Sequence, residues 1–250
     1  AALDACEKIK ARLVAFAAAE YGCEQSAVRF ENNQLVAGDI RLDWADFIQK
    51  AYMNRIALSS SGFYATPNIY YDHAKGQGHP FLYYANGAAC SEVVLDTLTG
   101  EYRVLRTDIL HDAGQSLNPE IDIGQIEGGF VQGMGWLTTE ELVYSDQGRL
   151  LTTGPATYKI PAVSDTPPDL RVNLLANSPN KEATVFRSKA VGEPPLMLGI
   201  AVWSALRDAV ASLTDYRYSP PLDTPATPER MLAAVTAARQ WALAEQEAVS

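Results

Sequence analysis

The sequence is poor in the residues that build metal and disulfide frameworks. Among 250 residues there are three cysteines (Cys6, Cys23, Cys90) and three histidines (His73, His79, His111). No two cysteines form C-x-x-C, and an odd, scattered count suits a reducing compartment better than a disulfide framework. Three cysteines cannot complete a four-thiolate zinc or iron–sulfur site. H-E-x-x-H is absent too, so no protein-ligated metal is expected within the chain. No run of 18 apolar residues occurs, which excludes a spanning helix, and no basic-then-apolar leader opens the sequence. Positive charge is scarce: 20 Lys and Arg face 30 Asp and Glu, a net charge of −10. Phosphate contacts need clustered cations, so neither nucleic acid nor an anionic membrane is an expected partner. The G-x-G-x-x-G fingerprint, the P-loop and the G-x-S-x-G elbow are all missing, which argues against NAD, ATP and serine-hydrolase chemistry.

What is present reads as a globular chain, 47% hydrophobic and 20% charged. That composition supplies one large domain or two small lobes. Leu3, Cys6, Ile9, Leu13 and Phe16 recur at helical spacing over the first 19 residues. This abrupt helical start suggests a piece of a longer polypeptide. Asp43 is placed to cap a second helix carrying Trp44, Phe47, Ile48 and Tyr52 on one face. Between the two helices, Asn32-Asn33 suggests a hairpin. Strands are expected over 58–64, over 81–95 with a bulge at Asn86-Gly87, and after a turn at Thr99-Gly100. Further strands are expected over 149–153 and 170–175. A proline-rich connector at 219–227 precedes a last helix opened by Thr227, Pro228 and Glu229. Strands and helices without regular β-α-β alternation predict an α+β fold.

Two stretches carry chemistry. The first has glycines at 124, 128, 129, 133 and 135. Fourfold steps put small residues together on a helix face, so another backbone or a flat ligand can come close. The second is S-K-A-V-G-E-P-P, 188–195, followed by a run so apolar that the helix it forms should be buried. A residue before proline is pushed out of the α region, and Gly192 permits angles closed to other residues. Glu193 is thus expected at a stiff, extended corner. Two readings of its carboxylate stand side by side. It can cap the helix that follows, or it can act as a base held in a fixed direction. His111-Asp112 lacks the nucleophile of a triad and reads as a hydrogen-bonded or exposed histidine. Glu140 and Glu141 point in different directions along a helix, against paired-carboxylate hydrolysis.

Taken together, several segments resemble the molybdenum hydroxylase family, specifically the C-terminal part of the molybdopterin-binding region of xanthine dehydrogenases. They are G-F-Y-A-T-P-N (62–68), Y-A-N-G-A-A-C-S-E-V (84–93), L-R-T-D-I (105–109), S-L-N-P-E-I-D-I-G-Q-I-E-G-G-F-V-Q-G (116–133), G-P-A-T-Y-K-I-P (154–161), S-K-A-V-G-E-P-P (188–195) and A-T-P-E-R (226–230). They run through nearly the whole chain in family order, so residues 1–250 are expected to form part of a molybdenum cofactor-binding domain built of two-layer lobes. The resemblance implies that Glu193 is the general base beside molybdenum, taking a proton from the hydroxyl that attacks an electron-poor carbon. It implies that Gln125 hydrogen-bonds the molybdopterin cofactor and that Gly192 packs against it. Implied too are a purine substrate (hypoxanthine to xanthine to urate), with 2Fe-2S clusters and FAD elsewhere in the enzyme. The partners would be the rest of the molybdenum domain and an iron–sulfur/FAD subunit or domains, in a dimer or heterotetramer in the cytoplasm. The chain alone is expected to be inactive. Alternatives are an aldehyde oxidase of the same family and a non-catalytic assembly lobe.

Overall fold

The computed structural model describes residues 1–249. Its internal contacts divide the chain into two units, 1–82 and 83–250.

In the first unit α1 (Ala2–Tyr21) ends at Gly22, which takes the left-handed conformation at φ 63°. Three short strands follow, β1 (Val28–Glu31), β2 (Gln34–Ala37) and β3 (Ile40–Asp43), forming an antiparallel sheet in that order. The expected turn is there: Asn32 and Asn33 both have positive φ, 51° and 57°, the pair of left-handed residues a tight hairpin requires. The third strand was not expected. α2 (Trp44–Met53) opens as anticipated, with Asp43 Oδ1 accepting from the Ala45 amide at 2.9 Å. Leu13, Ala17, Leu35, Phe47 and Ala51 form the core of this unit. Removing the cap by Asp43→Ala is expected to cost about 0.5–2 kcal/mol, read as a lower urea midpoint with the slope unchanged.

The strand expected at 58–64 does not form. Side chains of α1 take its backbone groups instead: Arg12 Nη2 donates to the Ser59 carbonyl at 2.7 Å and Lys8 Nζ to the Ser61 carbonyl at 3.3 Å. Asp4 Oδ2 accepts from the Phe63 amide at 3.0 Å. The unit closes with an exposed hairpin of β4 (Tyr70–Asp72) and β5 (Gln77–His79).

In the second unit β6 (Gly87–Leu95) and β7 (Tyr102–His111) pair antiparallel, and β8 (Asp169–Leu174) adds parallel to β7. The turn between β6 and β7 holds Gly100 at φ 77°. The irregularity in β6 lies at Glu92/Val93, not at the expected Asn86-Gly87. Gly87 serves close packing instead: a Cβ there would stand 2.7 Å from His111 Nδ1. The helices are α3 (Pro119–Thr138), α4 (Ile200–Ser212) and α5 (Pro228–Val249), with a short 3-10 turn, Pro194–Gly199, leading into α4. Ile126, Phe130, Met134, Val202, Leu206, Met231 and Val235 form the core, packed on Ala89, Val93, Val104, Leu170 and Val172 of the sheet. The other strand positions are mixed: ion pairs join Arg106 to Asp108 at 2.6 Å and Arg171 to Asp169 at 2.8 Å, beside the exposed Val94, Leu105 and Leu110. Sheet side chains packed on a helical core, without regular β-α-β alternation, make this an α+β arrangement.

Two other expectations are corrected. Residues 149–153 form a single bridge, Tyr144 to Leu150, rather than a strand; the next amide, that of Val143, donates to Thr152 Oγ1 at 3.2 Å and not to a backbone carbonyl, so the ladder does not extend. The helix after Glu193 is not buried all round. It buries Val202, Leu206 and Val210, spaced by four, while Met197 and Ile200 stay about half exposed.

Candidate functional site

The glycines of α3 decide how the second unit presents Glu193. A Cβ on Gly133 would lie 2.0 Å from the Leu196 carbonyl oxygen, and one on Gly199 would lie 2.4 Å from the Gly133 carbonyl carbon. A Cβ on Gly129 would meet Pro195 Cβ at 2.9 Å and the Gly192 oxygen at 3.3 Å. The 129/133 stripe therefore lets two backbones touch, and the 3-10 turn after Glu193 lies directly on α3. The other stripe differs. Nothing comes within 4 Å of a Cβ at Gly124 or Gly128. Gln125 is four residues before Gly129, on the same helix face one turn nearer the N-terminus. Its side chain is exposed and makes no hydrogen bond among the described residues.

Glu193 does not have the predicted backbone. It sits at φ −68°, ψ −30°, in the right-handed helical region, although a proline follows. Its carbonyl accepts from the Leu196 amide at 2.9 Å, which draws it into the turn. Pro194 and Pro195 suit such a start because the first amides of a helix have no intrahelical partner. The Glu193 side chain makes no capping hydrogen bond. Its exposed carboxylate has no hydrogen bond or ion pair among the described residues, so the helix-cap reading loses its geometric basis. Gly192 is not among the residues with positive φ, contrary to expectation. No protein atom would lie within 4 Å of a Cβ placed there. Neither its backbone nor its packing among these residues calls for glycine.

On the other side of Glu193 a polar clamp holds the chain. Lys189 Nζ donates to Asp112 Oδ2 at 2.5 Å and to the Tyr84 carbonyl at 2.8 Å. The side chains of Lys189 and Asp112 are 11% and 5% exposed, so this is a buried ion pair. Asp112 also accepts from the Gly114 amide at 2.9 Å and from Ser178 Oγ at 3.2 Å. Burial pushes the Asp112 carboxyl up, but the hydrogen bond from Lys189, those from Gly114 and Ser178, and the ammonium charge outweigh it. The net pKa lies below the ordinary carboxylate value. Backbone bonds add to the clamp: the Lys189 amide donates to the Ala113 carbonyl at 3.0 Å and the Gln115 amide to the Arg187 carbonyl at 2.9 Å. The Ala190 amide donates to the Tyr83 hydroxyl at 2.9 Å. Gly114, at φ 64°, is the one glycine here with no substitute, since a Cβ would also stand 2.7 Å from the Arg187 oxygen.

A hydrogen-bonded or exposed His111 was expected, and the structure shows neither. It is 1% exposed with both ring nitrogens unpartnered among the described residues. Burial lowers its pKa, and the nearby Lys189 charge adds to this against the opposing pull of Asp112. Glu140 and Glu141 are held apart, the first by the Tyr158 hydroxyl at 2.6 Å and the second by Arg230 at 2.9 Å. Two grooves of about 660 and 860 Å³ lie elsewhere, and neither is lined by Gln125, Gly192 or Glu193. These three residues stand on an open surface. Sequence reading named Asp112 only beside His111 and Lys189 only within S-K-A-V-G-E-P-P, and did not pair them; a lysine just ahead of the apolar Ala190-Val191-Gly192 was the available signal.

The sequence model of the molybdopterin cofactor-binding domain matches residues 1–167, and the chain belongs to that family. Among individual proteins it is similar to xanthine dehydrogenase/oxidase of Felis catus, 50% identical over 197 residues, which is 75% of this chain and 14% of the relative. It is also similar to xanthine dehydrogenase of Oryza sativa subsp. japonica, 43% identical over 244 residues, covering 92% of this chain and 16% of the relative. The chain thus spans about one-seventh of the length of these curated relatives. In three dimensions it matches CO dehydrogenase from Oligotropha carboxidovorans with a TM-score of 0.70 at 22% identity, over 94% of this chain and 28% of that one. This likeness shows a shared fold. No helix among the described residues is long and apolar enough to cross a membrane.

Proposed function

We propose that the chain forms part of the cofactor wall of a molybdenum hydroxylase that oxidises purines, with Glu193 as general base. The observation that carries this reading is the unpartnered Glu193 carboxylate, held on a turn whose backbone is seated on α3. Such a group can accept a proton at a defined point without first breaking a bond of its own. A molybdopterin cofactor fits the neighbouring residues. The Gln125 amide offers both donors and an acceptor and has no protein partner. Gly192 faces open space, where a side chain would intrude on a flat ligand. When bound, the cofactor would supply the two-electron redox chemistry that places water-derived oxygen on the substrate. Gln125 would orient it by hydrogen bonds, Gly192 would allow close approach, and Glu193 would take up the proton.

About 50% identity to xanthine dehydrogenase/oxidase favours a purine over an aldehyde. The rest of the molybdenum domain, 2Fe-2S clusters and FAD would lie outside these residues, in a dimer or heterotetramer. Three free cysteines fit the cytoplasm. The test is to supply the assembled enzyme with xanthine and, separately, an aromatic aldehyde. The expected result is urate formation with the higher kcat/KM for xanthine. A higher kcat/KM for the aldehyde would reassign the substrate, and turnover of neither would leave an assembly role.

A further inference from the structure

We propose that the buried Lys189–Asp112 ion pair is a positioning device for Glu193, fixing the catalytic corner from the side opposite α3; this rests on the reading of Glu193 as base. The chain from 190 to 192 is Ala-Val-Gly and offers no polar side chain with which to fix itself. Within it Val191 adds an apolar contact with the core and the Ala190 amide donates to the Tyr83 hydroxyl; further restraints lie at its two ends. At the far end the 3-10 turn lies on the glycines of α3, backbone against backbone. At the near end the Lys189 ammonium gathers three segments: Asp112 just past β7, Ser178 through Asp112, and Tyr84 just before β6. Four residues span at most about 14 Å of chain, so a slip at Lys189 has only Ala190, Val191 and Gly192 over which to be absorbed before Glu193.

Stability alone does not account for the pair. Desolvating two charges costs several kcal/mol per ion, and well-packed apolar replacements of buried pairs are often neutral or stabilising. What the pair supplies that an apolar contact does not is direction. The ammonium satisfies one carboxylate and one carbonyl at defined angles, and Asp112 is itself oriented by Gly114 and Ser178.

The test uses the assembled enzyme with xanthine as substrate. Lys189→Met combined with Asp112→Asn removes both charges, leaves no uncompensated ion, and keeps an acceptor for Gly114 and Ser178. The melting temperature and molybdenum content are expected to stay near wild type. The kcat should fall about 10–100-fold, the effect expected of a small misplacement of a reacting group, with KM little changed. Amide exchange over 187–193, measured by mass spectrometry, should accelerate. In a Glu193→Gln background the same pair of changes should lower kcat no further. Wild-type kcat in the double variant, or unchanged exchange over 187–193, would overturn the proposal. So would a kcat loss that adds fully to that of Glu193→Gln, which would leave the base in place but show that the clamp acts elsewhere. Wild-type turnover by Glu193→Gln alone is a separate failure, that of the base itself, and it removes the clamp's purpose with it. Should the double variant not assemble, Lys189→Arg keeps the charge but moves it, and the same losses of kcat and exchange protection are expected; wild-type values for both would again overturn the proposal.

Discussion

Glu193→Gln in the assembled enzyme is expected to lower kcat for xanthine by roughly 10²–10⁴-fold, the usual contribution of a positioned general base, with KM within a small factor of wild type. Glutamine keeps the shape and one acceptor but cannot take up a proton, and it removes a negative charge where charge is needed. The melting temperature should not move, because the carboxylate makes no capping bond and no ion pair among the described residues. That combination separates the two readings of this residue. A base loses turnover and keeps stability. A helix cap would do the reverse, keeping turnover and losing about 0.5–2 kcal/mol of stability. Molybdenum content must be matched between the two enzymes, since incomplete loading also lowers kcat. Equal turnover at equal loading would mean that the proton leaves by another route.

Local chemistry was legible where local chemistry decides. The Asn32-Asn33 hairpin and the Asp43 cap appear where the residues put them, because turn conformation and capping depend on a few adjacent residues. The 58–64 segment failed for the opposite reason: Arg12, Lys8 and Asp4, about fifty residues earlier, hold its backbone. At the candidate site the pattern repeats. G-E-P-P marked a constrained carboxylate, yet its expected extended conformation was wrong, since the 3-10 turn after it overrides the preference of a residue before proline. Lys189 and Asp112 are 77 positions apart, and no periodicity links them. Glycine spacing in α3 announced two small-residue stripes. It could not say which one meets a backbone and which one meets nothing.

That difference between the stripes yields the other large expected effect. Gly133→Ala places a methyl 2.0 Å from the Leu196 carbonyl oxygen, about 1 Å or more inside ordinary contact. Both sides of the clash are backbone, so no side chain can swing away, and α3 and the 3-10 turn must separate. Overpacking of this kind costs about 1–3 kcal/mol, against a gain of about 1 kcal/mol from replacing a helical glycine. A lower melting temperature is therefore expected. The larger effect should fall on turnover, because the turn that moves is the one that carries Glu193. A displacement near 1 Å at a reacting group costs about 100-fold, more than a loss of a kcal/mol or two in stability removes from an enzyme that remains folded. Gly199→Ala meets the same contact from the other side, 2.4 Å from the Gly133 carbonyl carbon, and should reproduce both losses. Adding the second change to the first should cost less than the sum, because the two methyls open one and the same interface. Full turnover in a Gly133→Ala enzyme of lowered melting temperature would show that the seat on α3 stabilises the unit without directing the carboxylate.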